Sequence, residues 1–114
     1  MKRIFVSGPY TLGDVAQNVK RAMDCSDELI RMGFAPFCPH LSHFLHMNKQ
    51  QPYEKWLEID IAFLKTCHAV IRLSGESKGA DGEVEHALKL GIPVFYTMED
   101  LVFYFQKQLD ESRR

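Results

Sequence analysis

Four short apolar runs alternate with four segments of helical period along this chain, and that alternation limits the fold more than any other feature. Ile4-Phe5-Val6, Phe34 to Cys38, His68 to Leu73 and Ile92 to Tyr96 read as short buried strands. After the first of them, Val15, Val19, Ala22, Met23, Leu29 and Ile30 recur at helical spacing, with Asp14 as a cap and Gly33 as a stop. Tyr53 to Thr66 reads as a second helix with Trp56, Leu57, Ile61 and Leu64 inward. Gly79 to Leu90 reads as a third, stopped by Gly91, and Glu99 to Leu109 as a fourth before a frayed polar tail, Asp110 to Arg114. Strands that alternate with helices in this way form a parallel sheet covered on both faces. The expected fold is an α/β three-layer sandwich, flavodoxin-like or Rossmann-like, with four to five parallel strands in the order 2-1-3-4. Pro36 places the second strand at the sheet edge, where a missing N–H donor is tolerated. The whole chain, residues 1–114, reads as one domain.

Charge and composition then narrow the partners. Fourteen Lys and Arg stand against 15 Asp and Glu, a formal net charge of −1, which is no footprint for nucleic acid or an anionic membrane. No apolar run approaches the ~20 residues of a membrane span. Met1 to Ser7 turns polar too quickly for a signal peptide. Cys25, Cys38 and Cys67 are odd in number and widely spaced, and fit reduced, buried thiols of a cytoplasmic protein better than a disulfide framework.

In open parallel sheets, ligands bind beyond the C-terminal strand ends where the strand order reverses. For the order 2-1-3-4 that point lies between strands 1 and 3, at the loops Ser7 to Gly13 and Ser74 to Glu83. The second loop is rich in glycine, runs from a strand into a helix, and places Glu83 in the expected first helical turn. Glu83 has two readings: an acid favoured by the helix dipole, or a functional carboxylate beside a ligand. Asp60, flanked by Ile59 and Ile61, is either partly exposed or a carboxylate with a purpose. Ser77 and Lys78 either start a turn or form an anion site with nearby backbone donors. Neither G-x-x-x-x-G-K-[ST] nor a strand followed by G-x-G-x-x-G occurs, which argues against a P-loop NTPase or a dinucleotide reductase. Pro39 to Pro52 reads as an irregular 14-residue segment, a length often functional in compact domains. Cys38, His40, His43 and His46 within and beside it suggest zinc, but histidines three apart on one helix drift round its surface. Trp56, Phe63, Phe95, Phe103 and Phe105 read as core.

Taken together, Ile4-Phe5-Val6-Ser7-Gly8-Pro9, Trp56-Leu57-Glu58-Ile59-Asp60, His68-Ala69-Val70-Ile71 and Ser77-Lys78-Gly79-Ala80-Asp81-Gly82-Glu83 resemble the nucleoside 2-deoxyribosyltransferase superfamily. The nearest branch is that of the 2′-deoxynucleoside 5′-monophosphate N-glycosidases and related small proteins. The resemblance runs from Ile4 to about Tyr96. It implies that Glu83 is a nucleophile toward C1′ of the sugar, as in retaining glycosidases, and that Asp60 assists proton transfer. It also implies that the loop carrying Ser7, Gly8 and Tyr10 approaches the ligand, and that the segment holding His40 lines the base pocket. Six residues before the glutamate, transferases of nucleosides tend to carry aspartate, and hydrolases of nucleotides serine. Ser77 stands there, followed by Lys78 and Gly79, which favours a 5′-phosphate over a free hydroxyl.

The chain departs from the pattern in three places. Gly8-Pro9 replaces the Gly-Ser of the nucleotide hydrolases, and Pro9 offers neither hydroxyl nor N–H. No asparagine follows Asn48, whereas the transferases supply one from a neighbouring subunit. Asp81-Gly82 stands where an aromatic is common. The expected function is therefore N-glycoside hydrolysis of a nucleoside 5′-monophosphate, without metal or organic cofactor. The alternatives are a non-catalytic nucleotide-binding module, a deoxyribosyltransferase, and a zinc-dependent hydrolase using the histidines. The aromatic cluster Phe95, Tyr96 and Val102 to Phe105, together with the resemblance, implies a homodimer or higher homo-oligomer.

Overall fold

The structure is a computed structural model and describes residues 1–113. Among them, the sheet has four parallel strands in the order β2-β1-β3-β4: β1 is Arg3–Ser7, β2 Ala35–Phe37, β3 Ala69–Arg72 and β4 Val94–Phe95. The helices are α1 Val15–Arg31, α2 Ser42–Asn48, α3 Tyr53–Leu64, α4 Lys78–Lys89 and α5 Met98–Ser112, with a 3₁₀ turn at Pro39–Leu41. The expected strand order is the observed one, and β2 with Pro36 is an edge strand.

Side chains of a strand alternate between faces, so the central strands feed two separate cores. Ile4, Val6, Ala69 and Ile71 pack with Ala22, Cys25 and Leu29 of α1 and Leu101 of α5. Phe5 and Val70 pack on the other face with Leu64 of α3, Cys67 and Ala87 of α4. That partition makes three layers, α1 and α5, then the sheet, then α3 and α4. It also decides the site. Two residues beyond Phe5 and Val70, Ser7 and Arg72 project from the same face at the C-terminal strand ends, where they are register partners.

Several expectations are corrected. Pro39 to Pro52 is not irregular: Pro39 opens the 3₁₀ turn, α2 follows, and Pro52 precedes α3. Ser42 to Asn48 contains no proline or glycine to oppose a helix, but it buries no residue, so it carries no apolar stripe to reveal it. The C-terminal tail is helical to Ser112, with Thr97 capping α5 through its bond from the Asp100 N–H at 3.1 Å; Arg114 lies outside the described residues. Met23 and Ile30 of α1 are exposed, because the buried stripe runs instead through Asn18, Val19, Ala22, Cys25, Ser26 and Leu29. Leu64 alone of the expected inward residues of α3 is fully buried; Trp56, Leu57 and Ile61 are half-buried. Phe63 and Phe103 are exposed rather than core. The three cysteines are free thiols and all buried.

Candidate functional site

The helix α4 begins earlier than its sequence suggests. Ser77 is its N-cap, its Oγ accepting from the Ala80 N–H at 3.1 Å, and the helix runs from Lys78. Gly79 and Gly82 are therefore helical, and the loop shrinks to residues 74–77, with Gly75 at φ 118°. Glu83 falls in the second turn, not the first. Charge–dipole stabilisation fades within the first turn, so the dipole no longer accounts for a glutamate at this place.

Glu83 instead faces the sheet with Ala80 and Ala87, and only 8% of it is exposed. The Ser7 hydroxyl donates to its Oε1 at 2.8 Å. Burial pushes the Glu83 carboxyl up to about 7, the Ser7 hydrogen bond opposes that rise, Asp60 adds to it and Arg72 opposes it. Asp60, on α3, is half-buried and is itself pushed up by burial to about 6. Two carboxyls with raised proton affinity, one on α3 and one on α4, thus lie within electrostatic reach of each other.

The neighbouring residues hold the loops over this pair. Leu73 N–H donates to the Ser7 carbonyl at 2.7 Å. A Cβ on Gly8 would lie 2.9 Å from Leu73 Cβ, and one on Gly75 would lie 2.8 Å from Pro9 Cγ, so these two loops pack directly on each other and need both glycines. A Cβ on Gly79 would stand 3.4 Å from the Tyr53 hydroxyl. Ser77 caps the helix with a lone pair, which leaves its O–H proton for another acceptor, and Lys78 beside it is exposed. Tyr10 bonds through its hydroxyl to His43 Nδ1. His40 is 4% exposed; its Nε2 donates to the Pro9 carbonyl at 2.9 Å, and burial pushes the proton affinity of the imidazole down. His46 Nδ1 accepts from the Trp56 indole N–H at 2.9 Å. The three histidines thus serve three separate partners. Among the described residues, no group of three or more His, Cys, Asp or Glu side chains is placed to hold a metal ion.

Sequence reasoning missed three polar residues. Asn18 donates to the Tyr10 and Leu12 carbonyls at 2.9 and 2.7 Å and so pins the β1–α1 loop. Arg21 reaches the Ser74 carbonyl at 3.0 Å and its hydroxyl at 3.2 Å. Arg72 is buried at the end of β3. The signal was present for Asn18 and Arg72, since each is a polar residue inside an apolar pattern. A cleft of about 500 Å³ is lined by Arg72, Ser74, Gly75, Asp81 and Tyr96, on a face of α4 adjacent to that of Glu83. It includes none of Ser7, Asp60 or Glu83. We assign the candidate site to the buried carboxyl pair rather than to this cleft, because charge perturbation and convergent donors mark chemistry better than volume does.

Fold and strand order define a parallel α/β domain with helices on both faces of the sheet. Residues 2–97 match the family described as a domain of unknown function (DUF7768), and the chain belongs to that family. Among solved structures it is similar to a 2-deoxyribosyltransferase from the psychrotolerant bacterium Bacillus psychrosaccharolyticus. The TM-score is 0.62 at 17% identity, covering 81% of this chain and 69% of that one. A comparison with curated proteins gives no match. No helix of the described residues is long and apolar enough to cross a membrane.

Proposed function

We propose that this protein hydrolyses the base–sugar bond of a nucleoside 5′-monophosphate, with Glu83 as the nucleophile. The observation that carries the reading is a glutamate 8% exposed, bonded to Ser7 Oγ at 2.8 Å and influenced by the charge of Asp60. In the productive form the pair holds one proton, with Asp60 protonated and Glu83 an anion, the less populated of its two arrangements because Glu83 has the higher proton affinity. Glu83 attacks C1′ and forms an ester while the C–N bond breaks. The bonding electrons leave with the base, which takes the Asp60 proton. Water then attacks C1′, Asp60 takes a proton from that water, and the Glu83–sugar bond breaks to regenerate the anion. Ser77, through its unused hydroxyl proton, and Lys78 bind the phosphate, with Gly79 in the same first turn. Ser7, Gly8, Tyr10 and His40 position sugar and base, His40 through its hold on the Pro9 carbonyl. These steps require no metal or organic cofactor.

The test is a screen of nucleoside 5′-monophosphates for released free base, with Glu83→Gln as the control. Base release that vanishes in the variant supports the reading. The same release from the variant overturns it, and no release from any monophosphate leaves the site a binding module. A second reading, transfer of the sugar to an acceptor base, is favoured by the structural similarity to a 2-deoxyribosyltransferase. A new nucleoside formed when a free base is added would select it.

A further inference from the structure

Arg72 stands outside everything assigned above. It is 8% exposed, it ends the central strand β3, and it pairs in register with Ser7. Strand alternation sends its side chain to the α3–α4 face, the face of Glu83. Its Nη2 donates to the Gly75 carbonyl at 2.9 Å and to Asp81 Oδ1 at 3.1 Å, and its Nη1 donates to the Leu73 carbonyl. The adjacent strand ends thus grip α4 at two residues on either side of Gly82: Ser7 holds Glu83, and Arg72 holds Asp81.

A buried guanidinium is stabilised only when its donors are satisfied and its charge is balanced. The carbonyls satisfy donors but do not balance charge. Asp81 is mostly exposed, so water screens its share of the pairing. Much of the cation's field is therefore left to act inward, on the face where Glu83 is buried. The charged and titratable groups facing Glu83 are Asp60 on α3 and Arg72 on β3; Ser7 on β1 adds a hydrogen bond, and Asp81 acts only through its bond to Arg72.

We propose that Arg72 is the positioning residue of the site: it fixes the loop from Leu73 to Gly75 and is the counter-charge that favours the anion on Glu83, against the burial and the Asp60 charge that favour its protonated form. The proposal rests on the reading of Glu83 as the nucleophile for its meaning in catalysis, but not for its test. A carboxyl pair with one proton has two arrangements, and only the one with the charge on Glu83 can attack. Arg72 and the Ser7 hydroxyl both favour that arrangement, and Arg72 is also the residue that ties the β3–α4 loop to α4.

The experiment follows the Glu83 carboxyl by carbon-13 NMR as pH is varied, with its signal assigned by loss in Glu83→Gln. It needs no turnover. A protein that releases no base still reports on Arg72, and the base-release screen reports separately on the function. In Arg72→Met the midpoint should rise by about one pH unit, as on losing a nearby opposite charge. In Asp81→Asn it should fall, since less of the guanidinium charge is then compensated. Arg72→Lys keeps the charge but loses the planar fork, so its midpoint should stay near wild type while protection of the Leu73 to Gly75 amides against exchange is lost. A role confined to packing would move Met and Lys variants alike. An unchanged midpoint in Arg72→Met or Asp81→Asn, or an equal shift in Arg72→Lys and Arg72→Met, overturns the proposal. Should Arg72→Met not fold, a fall in Asp81→Asn with a steady midpoint in Arg72→Lys supports it, and any other result in those two overturns it.

Discussion

Glu83 is a residue whose charge the fold opposes, and that has a measurable consequence for stability. Its carboxyl rises from an ordinary 4.5 to about 7 because burial penalises the anion. A group whose folded proton affinity is raised contributes stability that is fully present below the unfolded value and is lost as pH rises through the folded one. The loss therefore falls between about pH 4.5 and pH 7. Glu83→Gln keeps a similar shape and an oxygen for Ser7 without the charge, so it should raise the melting temperature at pH 8 and change it little at pH 4. An equal change at both pH values would show that the carboxyl is not buried as an anion. Activity has its own dependence on the pair. One proton shared by Asp60 and Glu83 is the working state, so base release should be greatest between about pH 6 and about pH 7. It should fall below that window as the pair takes a second proton, and above it as the pair loses its last one. Asp60→Asn should slow turnover by roughly 10²–10⁴-fold, as loss of a general acid does; a wild-type rate would leave Asp60 a structural role. Ser77→Asp keeps an N-cap acceptor but sets a carboxylate against phosphate. It should therefore abolish any preference for monophosphate over nucleoside in a binding titration.

At the scale of elements, what the sequence shows depends on whether an element is held by burial or by particular bonds. The strands and α1 were legible because apolar residues recur at the period of the element they form. Ser7, Asp60 and Glu83 were legible as a group only through resemblance, since they come from β1, α3 and α4 and no local pattern joins them. Arg72 and Asn18 stand out as polar residues within apolar patterns, but their partners are backbone carbonyls of the adjoining loops, which no side-chain spacing encodes. Helix α2 is the clearest case. It buries nothing and is held by side-chain bonds, the Trp56 indole on His46 and the Tyr10 hydroxyl on His43. An element so held should open locally at little cost. Trp56→Phe keeps an aromatic ring but removes the donor, a net loss of about 1 kcal/mol. Amide exchange within 42–48 should then quicken roughly fivefold, with β1 and β3 unchanged. Unaltered exchange in α2 would mean that packing, not the indole bond, retains it.

At the scale of the whole molecule, the expected surplus of aromatic surface takes a definite form. Val102 and Phe105 of α5 pack on the first core, and Tyr104 meets Phe95 with ring centroids 5.1 Å apart. Helix α5 thus finds partners within one chain for all of its aromatic residues except Phe103, which is 71% exposed. Isolated exposed apolar residues are ordinary, whereas contiguous ones mark contact surfaces. Leu88 and Tyr96 are contiguous: at 63% and 67% exposure they line one cleft with Val84 and Leu73. Self-association should therefore use this cleft rim and not the outer face of α5. Light scattering at micromolar concentration should give the mass of a dimer or higher homo-oligomer. Replacing Leu88 and Tyr96 by serine should return the mass to that of one chain, while Phe103→Ser should leave it unchanged. A wild-type protein with the mass of one chain refutes the assembly. An oligomer that survives the double substitution but not Phe103→Ser moves the contact to α5, where a single exposed ring would then have to anchor it.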